Sequence, residues 1–533
     1  MGTLKGFPNP PAMVRAEQSS AAPHAPIRSW IAGAVLGAGA LWYLGSVLVV
    51  ALARINYPYD LEWMEGGTLE HVARVLSGQP LYVPPSLEFT PYIYPPLYYF
   101  VAAPFAKLFG LRLLSLRLVS LAASLGVLAV IAALVHQRTR SRLGALVGAG
   151  LFAALYERTG AFFDLARVDA LALLFALLAV WLLLRNERRD VAAGVLLAAA
   201  CFTKQSLLLV AVPVVLARTW SLRGPQRLQC IAAFVVLAGG GGVLLHARTH
   251  GWSTTYLFSL PASHPRVSAA WVGFWRDDLF KAVPAAMLAL AAVIACGVGE
   301  LCSPRNIAGG FGNPLRVSTW IAGAAGVRAG RPVELAAVLG SLAAAWSSRL
   351  HTGAFSNVLM PAYACLAWQT GTVLGWLDAP DAPPARRRLA LAACFVQLAL
   401  LWFPPWRQVP TAADRAAGAA LVAKLAAAPG PVLVPYHPHL ARMAGKATSA
   451  QEMALADVLR GGNRDAIETL TADVRRRLDA REFAAVVLDN DWWRADVDAS
   501  YVRSQTLFLD EPEVFWPRTG WRTRPRDVYD RRP

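Results

Sequence analysis

Charged side chains are scarce in this chain. Asp, Glu, Lys and Arg make up 16% of it, hydrophobic residues 56%, and the mean hydropathy is +0.41. Soluble domains run about 45–50% apolar and about 25% charged, so the composition excludes an ordinary soluble protein. Negative charge is the scarcer sign: 34 Asp and Glu stand against 51 Lys and Arg, a formal net charge of +17. The excess positive charge does not describe a nucleic-acid-binding surface. It falls in short clusters between apolar runs, at Arg138, Arg140 and Arg142, at Arg185, Arg188 and Arg189, at Arg218, Arg223 and Arg227, and at Arg386–Arg388. That is the positive-inside pattern of a polytopic membrane protein, with the lipid bilayer as its partner and no nucleic acid expected.

Other absences narrow the class. The six cysteines (Cys201, Cys230, Cys296, Cys302, Cys365 and Cys394) lie in or beside apolar runs without a CxxC pair, which argues against a disulfide scaffold or a zinc knuckle. No internal repeat is visible. The first apolar run lacks a cleavage site and is too long for a removable signal, so it is expected to be retained as a span. Before it, residues 1–29 are rich in Pro and Ala with a basic bias and read as a disordered cytoplasmic tail.

Apolar runs of bilayer length are expected at about Trp30–Ala53, Leu113–Val135, Leu143–Tyr156 and Asp169–Leu184. The run Val191–Ala217 is interrupted by Thr203, Lys204 and Gln205. A lysine at the bilayer midplane costs at least about 2.5–3.5 kcal/mol, so two short spans with Lys204 at their outward turn are expected. Further spans are expected at about Gln229–Leu245, Phe280–Val298, Glu334–Ser347, Ala354–Leu377 and Leu389–Phe403, about eleven in all. The Gly-rich, basic stretch 303–331 is placed inside. The fold class is a polytopic α-helical membrane protein: a transmembrane domain over 30–405 with an outer catalytic loop at 54–112, then a small α/β domain over 406–533. In that last domain PVLVPYH and FAAVVLDND read as buried strands and Ser449–Leu478 as helical.

Chemistry-bearing residues gather on one predicted side. The first outer loop carries Asp60, Glu62, Glu65 and Glu70, with Glu62–Ser77 expected as an amphipathic helix on the membrane surface and Asp60 as its N-cap. Glu62 and Glu65, three apart, would share a face; Glu62 and Glu70 fit solvated or orienting roles. A second helix or shallow dip is expected over Pro96–Phe109, with Tyr94, Tyr98 and Tyr99 as interfacial anchors. The second acidic loop, ERTGAFFDLARVD, holds Asp164, expected at the loop surface, and Asp169, which pairs with Arg167 or Arg158 or else holds an acceptor. Lys204 is a point-charge partner for phosphate. His264, Arg266, His351 and Asn357 are weaker candidates for the same anion. In the last domain Asp489 and Asp491 read as a polar strand-end turn, and His437 and His439 are not at metal-ligand spacing. Carboxylates facing cations across an outward pocket suit a general base that deprotonates an acceptor hydroxyl while cations neutralise a departing phosphate.

The loop DLEWMEGGTLEHVARVLSG, then YPPLYYFVAAPFAKLFG and LRLVSLAAS, resembles the first module of the GT-C glycosyltransferases. These include protein O-mannosyltransferases, lipid A aminoarabinose transferases and RgtA/B/C/D-like sugar transferases. RVDALALLFALL, AACFTKQSLLLVAVP and GAFSNVLMPAY match later pieces of the pattern, and the resemblance covers roughly residues 30–405. It implies an enzyme of a bacterial-type inner membrane, its N-terminus cytoplasmic and its C-terminal domain outside. Such an enzyme moves a sugar from a polyprenyl-phosphate donor to a glycan, lipid or protein acceptor, usually with inversion. The resemblance also implies that Asp60 or Glu65 is the base; Met64 stands where a second, adjacent acid is common, which leaves the choice open. No catalytic metal or other cofactor is expected. The alternatives are a transporter or flippase of lipid-linked saccharides, which would often show repeats, and a polysaccharide polymerase or ligase.

Overall fold

The structure is a computed structural model and describes residues 27–185, 189–222, 224–301, 331–379, 382–491 and 493–532. Most of the expected N-terminal tail and nearly all of the basic stretch 303–331 lie outside these residues. The described residues open with α1 (Ile27–Arg54), a long apolar helix that ends at the buried Arg54. The loop helices α2 (Glu65–Leu76) and α3 (Leu97–Phe109) follow. The bundle continues with α4 (Leu113–Thr139), α5 (Arg142–Ala154), α6 (Asp169–Leu184), α7 (Asp190–Thr203) and α8 (Leu208–Ser221). Its second half holds α9 (Arg227–Arg248), α10 (Pro284–Leu301), α11 (Arg331–Arg349), α12 (Met360–Leu377) and α13 (Pro384–Leu400).

The expected count of eleven spans is not confirmed by helix length. Among the described residues, three helices are long and apolar enough to cross a bilayer alone (Ile31–Arg54, Leu113–Thr139 and Arg227–Arg248), or up to five if each of two bent pairs is one span. One of those pairs bends by 98°, between Ala270–Phe280 and Pro284–Ala295, within the stretch where a straight span was expected from Phe280. The physical reason for the shortfall is that the middle helices stop early. Helices α5 to α8 have 13, 16, 14 and 14 residues. At 1.5 Å per residue they measure about 20–24 Å, short of the roughly 30 Å hydrocarbon core. Their outer ends give way to irregular polar chain that is buried in protein, where non-helical backbone is tolerated at membrane depth. The break between α7 and α8 falls at Lys204, whose extended backbone separates Thr203 from a short 3-10 turn.

Two G-x-x-x-G pairs, Gly144/Gly148 on α5 and Gly371/Gly375 on α12, bring these helices into backbone contact. A Cβ on Gly144 would lie 2.7 Å from the Gly371 carbonyl oxygen and 2.9 Å from the Gly375 Cα. Small residues at such crossings let helices pack without side chains between them. Ser141 starts α5 by accepting the Gly144 N–H at 2.9 Å, a side-chain N-cap.

Residues 412–532 form the α/β unit. Its first helix, Ala412–Ala427, is closed by a capping box between Thr411 and Asp414. The four-stranded sheet has the order β1 (Val432–Leu433), β2 (Ala485–Leu488), β4 (Asp527–Arg531), β3 (Tyr501–Thr506), parallel at β1–β2 and antiparallel elsewhere. The short strands β1, at the sheet edge, and β2, inside the sheet, are wholly buried, and their uninterrupted apolar sequences follow from that. The helical stretch is divided into Glu452–Leu459 and Arg464–Asp479.

Candidate active site

The two acidic outer loops are drawn together by ion pairs that the apolar surroundings make obligatory, since a buried charge must be paired. Arg54, at the end of α1, reaches both oxygens of Asp164 at 2.7 and 2.6 Å; both residues are buried and Tyr156 donates to the same carboxylate at 3.0 Å. Asp164 is therefore interior, not loop surface. Arg117, inside the apolar face of α4, grips Glu65 with two bonds of 2.9 and 2.6 Å. Glu65 also accepts the backbone N–H groups of Leu61 (2.8 Å) and Ala166 (2.7 Å). Four donors saturate this carboxylate and tie both loops to α4.

The first loop differs from its expected form in a way that follows from those bonds. Helix α2 starts at Glu65, not Glu62, and Glu65–Val72 are buried; it packs against the C-terminal domain. Met64, not Asp60, holds the N-cap position, and Asp60 reaches in from upstream to accept the Gly66 N–H at 2.9 Å. Glu62 and Glu65 do not share a helical face: Glu62 turns to Arg167 at 2.6 Å. Burial raises the Glu62 carboxyl to about 7, with Arg167 offsetting only part of that and Glu65 and Asp60 adding to it. Glu70 is buried and not solvated, bonded to Arg442 and to Thr448 (2.9 Å) of the C-terminal domain. The three tyrosines face protein: Arg167 donates to the Tyr94 hydroxyl at 3.0 Å, Tyr98 donates to the Leu116 carbonyl at 3.1 Å, and Tyr99 is buried.

At the outer end of α6, Asp169 takes Lys204 Nζ at 2.5 Å and the Asn357 amide at 2.9 Å on one oxygen. Its other oxygen is buried without a partner. Asp169 thus pairs with Lys204 and not with Arg167 or Arg158, and Asn357 serves that carboxylate. His264, Arg266 and His351 meet nearby: Arg266 and His351 form an antiparallel backbone bridge, and His264 Nε2 lies 3.0 Å from the Asp457 carbonyl oxygen. Burial lowers both histidines, His351 further so through His264 and Arg266, so each is a neutral hydrogen-bonding ring near pH 7. His351 also lines an outer cleft of about 280 Å³ with Arg349, Asp277 and Asp278.

The C-terminal domain enters this site. His437 Nδ1 lies 2.7 Å from Asp60 Oδ2, and its Nε2 3.0 Å from Asp489 Oδ2. Asp489 is buried while Asp491, exposed, pairs with Arg526 at 2.5 Å. A strap of chain closes over the loop, where the Arg518 and Thr519 amides donate to the Leu61 carbonyl at 2.8 and 3.1 Å. Arg54 and Arg117 are site residues that reasoning from sequence did not name, and it gave Arg167, His437 and Asp489 other roles. Arg117 carried a signal, as a lone guanidinium inside an apolar span; the others did not. Among the described residues no group of three or more His, Cys, Asp or Glu side chains is arranged to hold a metal ion.

A helical bundle whose two acidic loops knit carboxylates to cations beneath an α/β unit has the GT-C fold. The fold is similar to ArnT from Cupriavidus metallidurans, both bound to undecaprenyl phosphate and in the apo state. The TM-scores are 0.55 and 0.54, with 14% identity, 92% of this chain and 97% of that chain covered in each case. An oligosaccharyltransferase from Archaeoglobus fulgidus is more distant, with a TM-score of 0.46 and 12% identity over 87% of this chain and 72% of that one. Residues 94–249 match the family model described as dolichyl-phosphate-mannose-protein mannosyltransferase. No curated protein matches the chain by sequence.

Proposed function

We propose that the chain is a glycosyltransferase that moves a sugar from a polyprenyl-phosphate donor to an acceptor hydroxyl on the outer face of a bacterial-type inner membrane. The observation that carries this reading is the joining of both acidic loops and Lys204 into one buried network at the outer end of the bundle. ArnT, of similar fold, was crystallised with undecaprenyl phosphate, which supports the donor class.

Asp60 is the base in this reading. Glu65 has four donors on its two oxygens and is committed to holding the loops, whereas Asp60 accepts fewer bonds and keeps lone-pair capacity. Asp60 takes the proton of the acceptor hydroxyl, the acceptor oxygen bonds to the anomeric carbon, and the bond from that carbon to the phosphate oxygen breaks. The electron pair leaves with the polyprenyl phosphate, and one displacement inverts the centre. Lys204 and Arg266, with the neutral His351 as a donor, would meet the phosphate, while His264, whose ring N–H is taken by the Asp457 carbonyl, would orient that side of the site. Asp169 and Asn357 would orient Lys204, and Glu62 would fix the second loop through Arg167. These cations suffice for the leaving group, so no metal is needed, and transfer should persist in excess EDTA.

The test is turnover of labelled polyprenyl-phosphate sugar by purified protein, for wild type and for Asp60→Asn, Glu65→Gln and Lys204→Ala. Turnover lost in Asp60→Asn and Lys204→Ala supports the reading. Wild-type rates in all three would end it.

A further inference from the structure

The segment after β1, where His437 precedes the helix Pro438–Met443, carries two imidazoles against the first loop. His437 is buried and spans two carboxylates from separate parts of the chain, Asp60 in the first loop and Asp489 at the end of β2. Thr523 steadies the second carboxylate, donating to the same Asp489 oxygen at 2.8 Å. A neutral imidazole has one N–H and could serve only one of the two acids; both bonds require the doubly protonated ring. Burial opposes that charge and the two carboxylates outweigh it, so the ring is pushed up to about 10.

The other groups around this ring are consistent with a built contact. His439, on the same segment, is buried with Nδ1 3.4 Å from Asp60 Oδ2, and neither of its ring nitrogens has a hydrogen-bond partner. Burial lowers it, and the charge on His437 lowers it further, against the opposing pull of Asp60, Glu70 and Glu65. The approach of this ring explains a glycine. A Cβ on Gly66 would sit 2.4 Å from His439 Nδ1, and glycine inside a helix otherwise costs about 1 kcal/mol relative to alanine.

We propose that His437 is a positioning residue, supplied by the C-terminal domain and anchored on Asp489, that fixes the orientation of the Asp60 carboxylate for proton abstraction. This proposal rests on Asp60 being the base. The last domain then completes the reaction centre instead of only covering it.

The experiment uses the full chain in nanodiscs, with wild type, Asp60→Asn, His437→Gln and Asp489→Asn assayed for donor turnover across pH and for thermal unfolding. In His437→Gln, kcat should fall about 100-fold, the scale of a small misplacement at a reacting group, with donor KM unchanged. The acid limb of the kcat/KM profile should change, because the variant removes the imidazole that bridges Asp60 and Asp489. Asp489→Asn, which keeps the shape of the turn, should give the same two changes to a smaller degree. If wild type is active, Asp60→Asn inactive, and both His437→Gln and Asp489→Asn keep the wild-type kcat and acid limb per folded molecule, the proposal is overturned and the functional reading stands. A wild-type chain that turns over no lipid-linked sugar overturns the functional reading, and this proposal with it.

Discussion

Arg167 Nη1 lies 2.6 Å from Glu62 Oε2, and through that bond the second outer loop is fastened to the first. The pairing leaves Glu62 in surroundings that still disfavour its charge, since burial raises its carboxyl from 4.5 to about 7. An acid raised in the folded state binds more protons there than in the unfolded chain, so its contribution weakens as pH rises from about 4.5 towards 7. The stability difference between wild type and Glu62→Gln should therefore shift across that window and be level on either side. Thermal unfolding measured at a series of pH values checks this.

His437 has the same sign in a higher pH window. Its folded value is raised from 6.5 to about 10, so the stability it adds is full below pH 6.5 and is lost as pH climbs through 10. Relative to wild type, His437→Gln should be most destabilised in mild acid, and the gap should close towards pH 10. A gap that widens with pH would contradict the charged bridge between Asp60 and Asp489.

Glu65 and Asp60 should separate stability from activity. Removing one partner of a buried pair costs about 3–5 kcal/mol, so Arg117→Ala and Glu65→Ala should each unfold well below wild type. Asp60→Asn also removes one carboxylate from the buried His437 contact and should lose some stability, but its turnover per folded molecule should fall by about 100-fold or more, beyond what the unfolding loss explains. Denaturation followed alongside turnover per folded molecule distinguishes the two roles.

Lys204 and Asp169 should behave as one unit. With Nζ 2.5 Å from the carboxylate and Asn357 on the same oxygen, single substitutions each leave a buried group unmatched. The double variant Lys204→Met with Asp169→Asn should be less damaged in stability than the sum of the singles, with a coupling of about 1–3 kcal/mol. Additive losses in the double-mutant cycle would show that the two side chains do not depend on each other.

Much of this arrangement was legible as pattern. Lys204 interrupts an apolar run, and the chain does turn there. The strands around Val432 and Ala485 follow from uninterrupted apolar stretches, and Asp169 does begin its helix. What composition cannot convey is partner choice. Arg117 reads as an anomaly within an apolar helix until Glu65, 52 positions away, is placed opposite it. Glu70 looks like a solvated helix residue because Arg442 arrives from another domain, 372 positions on. The lengths of the spans were hidden for a related reason. Periodicity marks where apolar sequence lies, but not that the outer turns of α5 to α8 give way to polar chain buried among partners from elsewhere.

Leu61 is held from two directions, its amide by Glu65 and its carbonyl by the amides of Arg518 and Thr519. During synthesis, α1 and the bundle would already be inserted long before residues 515–531 have left the ribosome. The centre therefore cannot mature helix by helix; it waits for the strap and β4, so a nascent chain stalled short of them would occupy the bilayer while remaining inert.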